Sequence, residues 1–291
     1  MSHPFIGHNP DPPNNGKKVD SILDLEEKKI DYISILKNNG LLKLNNIKLK
    51  ISSDIPCLVI DQTWSILDII TKCPPIGWID LFKNTYNEFL DINNYLQSLT
   101  STYIPYKKNI FKIFDICPVN KVKVVILGQD PYATISKITG HPIANGIAFS
   151  VEKEDNIPPT LNNIYRVLEL TVPNFRKPNH GDLSGWVKQG VFLLNTCLTV
   201  SIESSGSHKK FWAGFITRVF MEIAKYNPNC IYIFWGNEAQ SMAKDITSKY
   251  ILKTSHPSPL GCKQFMQSNH FNEVNMILTS LNKEVIDWQL Y

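Results

Sequence analysis

Val124-Val125-Ile126-Leu127 is an aliphatic run that stops abruptly at Gly128-Gln129-Asp130-Pro131-Tyr132. A run that is apolar at every position, not at every second one, reads as a strand buried on both faces. With its flank it forms VKVVILG (122–128), and three more such runs follow: VFLLNTCLTV (191–200), CIYIFWG (230–236) and YILKTSHP (250–257). Between them lie longer segments with apolar residues at helical spacing, such as TLNNIYRVLELTV and FWAGFITRVFMEIAKY. Strands and helices alternating at these lengths build βαβ units. The expected fold is α/β, a three-layer α/β/α sandwich around a central four-stranded, mainly parallel sheet.

The rest of the chain is less sharp. Residues 1–18 are rich in Pro, Asn and Gly and are expected to be disordered. Residues 19–75 read as an N-terminal extension of unassigned role, with the Pro74-Pro75 pair as its boundary, and residues 76–291 as the main domain. A hydrophobic content of 43% is enough for a substantial core. A net charge of +4 is compatible with nucleic-acid binding without arguing for it, because a local patch matters more than the total. The nearest pair of the six cysteines, Cys57 and Cys73, is 16 residues apart, so no C-x-x-C clip for a metal or cluster exists. Cys197 and Cys230 sit inside apolar runs, as reduced buried thiols do. The N-terminus lacks the apolar segment of a signal peptide, and no run is long enough to span a bilayer. A reduced intracellular protein, nuclear or cytoplasmic, is the expectation.

In open α/β sheets, ligands sit beyond the carboxyl ends of the strands. Here the first run ends in Asp130, the second carries Asn195, the third ends in Gly236-Asn237 and the fourth in His256-Pro257-Ser258-Pro259-Leu260. Each residue has a plain structural reading. Asp130 before proline can shape a turn, Asn195 can satisfy a buried backbone group, and His256 can be a loop residue. Parallel strands, however, bring an acid, an amide and an imidazole to one edge. That convergence favours a site.

The motifs GQDPY, AFSV, PPTLNNIY, LLNTCLTV, FWG and HPSPL, in this order, closely resemble those of the uracil-DNA glycosylases. The resemblance runs over about residues 76–291 and ends in VIDWQLY, similar to that family's C-terminal signature. It implies hydrolysis of the bond joining uracil to deoxyribose, with no metal or cofactor. As that bond stretches, the sugar becomes positive and the base leaves as an anion. Asp130 would steer a water onto the sugar or stabilise the cation, and His256 would donate to the uracil oxyanion.

Gln129, Tyr132, Phe149 and Asn195 would bind the base, with Phe149 stacking on it and Tyr132 gating against the thymine methyl. Asn195 would accept from the ring N–H and donate to the carbonyl; cytosine inverts both partners, and such sites reject the mismatch by about 10⁴- to 10⁵-fold. Pro158, Pro159, Thr160, Gly236, Asn237, Ser207, His208 and Ser258 resemble the DNA-gripping positions. His208, Lys209 and Lys210 would bring positive charge to phosphates, although solvated surface is an equal reading for the lysines. Leu260 would fill the gap left by the flipped base. The implied partners are single- and double-stranded DNA containing uracil and a proteinaceous inhibitor that mimics it, with the chain acting as a monomer away from membranes.

Two departures stand out. Ala133 follows GQDPY where the family usually has His, and 16 residues separate Tyr132 from Phe149, several more than the family's short loop. The added TISKIT must be looped away from the pocket or folded over it. Thr160 and Asn237 stand where Ser is usual. A non-catalytic DNA-binding or replication-accessory protein is the rival reading, and a mismatch-type glycosylase with relaxed base choice is a third.

Overall fold

The computed structural model describes residues 60–61 and 63–291. The expectations for residues 1–18, and for the extension up to residue 59, lie outside the described residues. The central sheet has the order β3-β2-β5-β6, where β2 is Val124–Gly128, β3 Val191–Asn195, β5 Ile231–Trp235 and β6 Ile251–Thr254. All three pairings are parallel, so the sheet is wholly and not just mainly parallel. Every residue of β2, β3 and β5 is buried, as continuous apolar runs require. The edge strand β6 is only half-buried and exposes Lys253, a charge that discourages further strand pairing.

The run at 191–200 is not one strand. β3 stops at Asn195, where Thr196 crosses to β2, its N–H donating to Gly128 O at 3.0 Å and its hydroxyl to Gln129 O at 2.7 Å. The remainder forms β4 (Val200–Ser201), which pairs antiparallel with β1 (Tyr103–Ile104) in a separate ribbon.

The helices are α1 (Ile66–Lys72), α2 (Ile79–Asn84), α3 (Tyr86–Ser98), α4 (Lys112–Ile116), α5 (Pro159–Thr171), α6 (Ser184–Lys188), α7 (Lys209–Tyr226), α8 (Asn237–Ser241), α9 (Cys262–Phe265) and α10 (His270–Ser280). The β2-to-β3 and β3-to-β5 crossovers run in opposite directions across the sheet, so right-handed connections put α5 and α7 on opposite faces. α5 packs with α10, and α7 packs with α2 and α3, giving the expected three layers. The α7 layer buries an aromatic cluster in which Phe82, Phe89, Phe111, Phe114 and Phe215 meet mostly edge to face.

α1 begins with a Ser65–Asp68 capping box and buries Ile66, Ile69 and Ile70 in the same core as the sheet. The packed body therefore starts before Pro74-Pro75, and the proline pair does not divide the core. At the other end Trp288 is buried, donating its indole N–H to Phe271 O, while Trp186 donates to Trp288 O. Among the described residues, no helix is long and apolar enough to cross a membrane.

Candidate active site

A cavity of about 190 Å³ opens at the carboxyl ends of the strands. Asp130, from the turn after β2, Asn195, the last residue of β3, and His256, two residues past β6, all line it. Gln129, Tyr132, Phe149 and Thr160 line it as well.

The acid is held from across the fold. Asp130 Oδ2 accepts from the Ser205 hydroxyl at 2.7 Å and from Gly206 N at 2.6 Å. The sequence singles out neither donor; from this loop it points only to Ser207, His208, Lys209 and Lys210, as DNA-gripping positions. The amide of Asn195 has no hydrogen bond to the protein among the described residues, although the residue is 8% exposed. A buried amide without protein partners has its donor and acceptor available to a ligand.

His256 is half-buried, and Ser258 N donates to its Nδ1 at 3.0 Å. Accepting at Nδ1 fixes the neutral ring as the Nε2–H tautomer, a hydrogen-bond donor. Burial lowers the imidazole pKa from its ordinary value, and the Glu238 carboxylate partly opposes that shift. Gly236 takes φ 87 and lies against this ring; a Cβ there would meet His256 Cβ at 3.0 Å.

The cavity wall at Phe149 rests on strained backbone. Phe149 has φ 66, a left-handed conformation costly for an aromatic residue. Its ring centroid lies 5.5 Å from that of Trp235 and 6.3 Å from that of His256. The Ser150 hydroxyl pins the turn: it accepts from Asn145 Nδ2 and Leu183 N and donates to Gly181 O. Tyr132 donates its hydroxyl to Phe149 O at 3.3 Å, and burial raises the phenol above its ordinary pKa.

The remaining expected positions lie on other segments, and of them only Thr160 lines the cavity. Pro158, Pro159 and Thr160 form the start of α5, tied to the His256 loop through Asn163 Nδ2, which donates to Pro257 O at 2.8 Å. Gly236 and Asn237 start α8, and the Leu260 side chain is fully exposed. The Ser207 hydroxyl accepts from Ser201 N.

His208 corrects an expectation. It is fully buried, its Nδ1 pairs with the Thr199 hydroxyl and its Nε2 with the Ser201 hydroxyl, each at 2.9 Å. Burial pushes its pKa down to about 4, so it is neutral near pH 7 and brings no charge to a phosphate. It is a structural residue that fastens the loop carrying Ser205 and Gly206. Lys209 forms an ion pair with Glu238, and Lys210 lies 4.7 Å from the Phe211 ring centroid.

The added TISKIT stretch forms a hairpin whose tip is exposed, and Ala133 and Ala144 at its base line the cavity. None of residues 134–143 lines the cavity.

A family model described as the uracil DNA glycosylase superfamily matches residues 114–279. A uracil-DNA glycosylase of Francisella philomiragia is 42% identical over 193 residues, covering 65% of this chain and 86% of the relative. One from Francisella tularensis is 38% identical over 222 residues, covering 73% of this chain and 98% of the relative. Among solved structures, mimivirus uracil-DNA glycosylase superposes with a TM-score of 0.68 at 30% identity, covering 74% of this chain and 86% of that one. A mimivirus UNG variant in complex with UGI superposes with a TM-score of 0.67 at 31% identity, covering 74% and 88%. The family model covers more than half of the chain and the relatives carry the same family name, so the chain belongs to the uracil DNA glycosylase superfamily.

Proposed function

We propose that this chain hydrolyses the N-glycosidic bond of uracil in DNA, the first step of base excision repair. The observation that carries the reading is the shared cavity of Asp130, Asn195 and His256, an acid, a base reader and a neutral donor drawn from three strand ends. Water adds to the sugar carbon and passes a proton to the Asp130 carboxylate, the bond to the ring nitrogen breaks, and uracil departs as an anion.

Ser205 and Gly206 both hold Oδ2 of Asp130, which leaves Oδ1 to orient the water and to face the positive sugar. The Nε2–H of His256 donates to the uracil oxyanion, a role that a neutral imidazole fills because it gives a donor without an extra proton to lose. Asn195 pairs with the uracil edge, Phe149 stacks on its face and Tyr132 closes the side where thymine carries its methyl. The substrate is single- or double-stranded DNA, and in the duplex Leu260 occupies the space vacated when the base is flipped. The mimivirus structure with UGI supports a proteinaceous inhibitor as a further partner.

Excision from an oligonucleotide bearing one uracil, assayed in EDTA, tests the reading. Release of uracil with a thymine control left intact is the expected result. A chain that binds the oligonucleotide but never releases the base would overturn it.

A further inference from the structure

Residues 134–143, between the catalytic turn and Phe149, have no part in the chemistry above. They form a hairpin in which Ile135 and Pro142 are bridged, Ile143 N donates to Thr134 O at 3.2 Å, and Ser136 N donates to His141 O at 2.7 Å. The tip is stiff. The buried Ser136 hydroxyl accepts from Ile138 N and from Thr139 N, each at 3.1 Å, and Gly140 takes φ 70 to close the turn. The base is fastened on both sides. Ala133 O accepts from Glu203 N at 2.8 Å, and His141 Nδ1 pairs with the Tyr106 hydroxyl at 2.9 Å.

What this rigid element carries outward is apolar and basic. Ile138 is 58% exposed and Ile135 40%, and Tyr106 and Ile202, also exposed, come from the two segments bonded to the hairpin. Scattered exposed apolar side chains need no explanation, whereas several gathered on one hydrogen-bonded hairpin mark an interaction surface. Lys137 is exposed at the tip and Lys108 stands two residues past Tyr106; neither has an ion-pair partner among the described residues. Glu203 is the one acidic side chain of the 201–208 loop on this side.

We propose that Lys137 and Ile138 form a second DNA-gripping element, which holds the single strand as it leaves the uracil cavity. Three observations select this occupant. The hairpin starts and ends at Ala133 and Ala144, which line the cavity itself, so its surface is continuous with the path of the substrate. It follows β2 while Leu260 follows β6, with β5 between them, so the two elements flank the flipped nucleotide. A cation beside an aliphatic side chain suits a phosphate beside an unstacked base, and unstacked bases belong to single strands, not to duplex. Four residues of extended arm give a reach of about 13 Å, so the strand must run on past the uracil before it meets the tip. This inference rests on the glycosylase reading for the path of the strand, and its test is separable from that reading.

The experiment uses the full chain and single-stranded oligonucleotides with one uracil and progressively longer flanks on either side. Binding is read by fluorescence anisotropy and excision by kcat/KM. The wild type should gain about tenfold as one flank grows long enough to reach the tip of the hairpin. Lys137→Ala and Ile138→Ser should each remove most of that gain while matching the wild type on the shortest strand. Lys137→Ala should also lower the salt slope of binding by about one. Because both side chains point into solvent, the variants should keep the wild-type melting temperature. A length profile identical to wild type in both variants would overturn the proposal and leave the face to a protein partner. Equal loss at every length would overturn it too, since the hairpin would then be acting on the cavity. Should no uracil be released by the wild type, the anisotropy profile still decides the role of the hairpin.

Discussion

Gly128 makes room for Asn195. The two are register partners on β2 and β3, and a methyl group at Gly128 would lie 2.3 Å from Asn195 Oδ1 and 3.0 Å from Ala148 Cβ. Gly128→Ala should therefore displace the amide from the cavity. We expect uracil excision to fall at least about 100-fold, with a stability loss of about 1–3 kcal/mol from overpacking. Single-turnover excision and thermal melting separate the two effects. A rate within twofold of wild type would mean that the Asn195 amide does not read the base.

Asp130→Asn should lower excision by about 10³-fold or more while leaving affinity for uracil-containing DNA within a few fold, because the carboxylate acts on the transition state. Ser205→Ala removes only one of the two donors to Oδ2 and should cost about tenfold. If Ser205→Ala proves as damaging as Asp130→Asn, the hydroxyl has a role of its own in the chemistry.

His256 should set the acid limb of the pH profile. Burial lowers its pKa, so the ring stays neutral until the pH falls through that lowered value, and activity should be lost there, below pH 6.5. Lys209 neutralises Glu238, and Asp130 is the carboxylate that lines the cavity together with His256. Lys209→Met leaves Glu238 uncompensated and should move the limb to higher pH; Glu238→Gln should move it the other way. A limb that shifts in neither variant would detach it from His256.

His208 and His270 should make the fold acid-sensitive. Burial pushes both pKa values down to about 4, so the unfolded chain takes up protons before the folded one does. Their contribution is fully present above the unfolded value near 6.5 and is lost as the pH falls from there towards 4. Denaturant titrations across that window should show a steep decline in the wild type and a flatter one in His208→Asn, which retains hydrogen-bonding groups. The same slope in both would place the acid sensitivity elsewhere.

Leu260 is fully exposed at the end of the His256 loop, as a wedge must be before DNA arrives. Leu260→Ala should slow excision from duplex DNA about tenfold or more and hardly affect single strands, where no partner base opposes flipping. Equal damage on both substrates would show that the loop positions the strand in another way.

The strands were legible because a parallel sheet covered on both faces needs an apolar residue at every position, a local property that one segment displays alone. Asp130, Asn195 and His256 could be gathered for the same reason: once the strands are known to be parallel, their ends share an edge. Other features depend on partners distant in the chain. Asp130 is held by Ser205, 75 residues away, and Gly128 answers to Asn195 across a strand pairing. His208 looks like a cation beside two lysines until the fold closes Thr199, Ser201 and Tyr95 around it. The break after Asn195 and the packing of α1 beyond Pro74-Pro75 were likewise hidden. Periodicity and turn chemistry are written in neighbouring residues, whereas desolvation, and with it the charge of an imidazole, is set by whichever segments pack against it. The sequence determined where the chemistry-bearing residues stand along the strands; only the tertiary structure decided which of them face the cavity and which are sealed in the core.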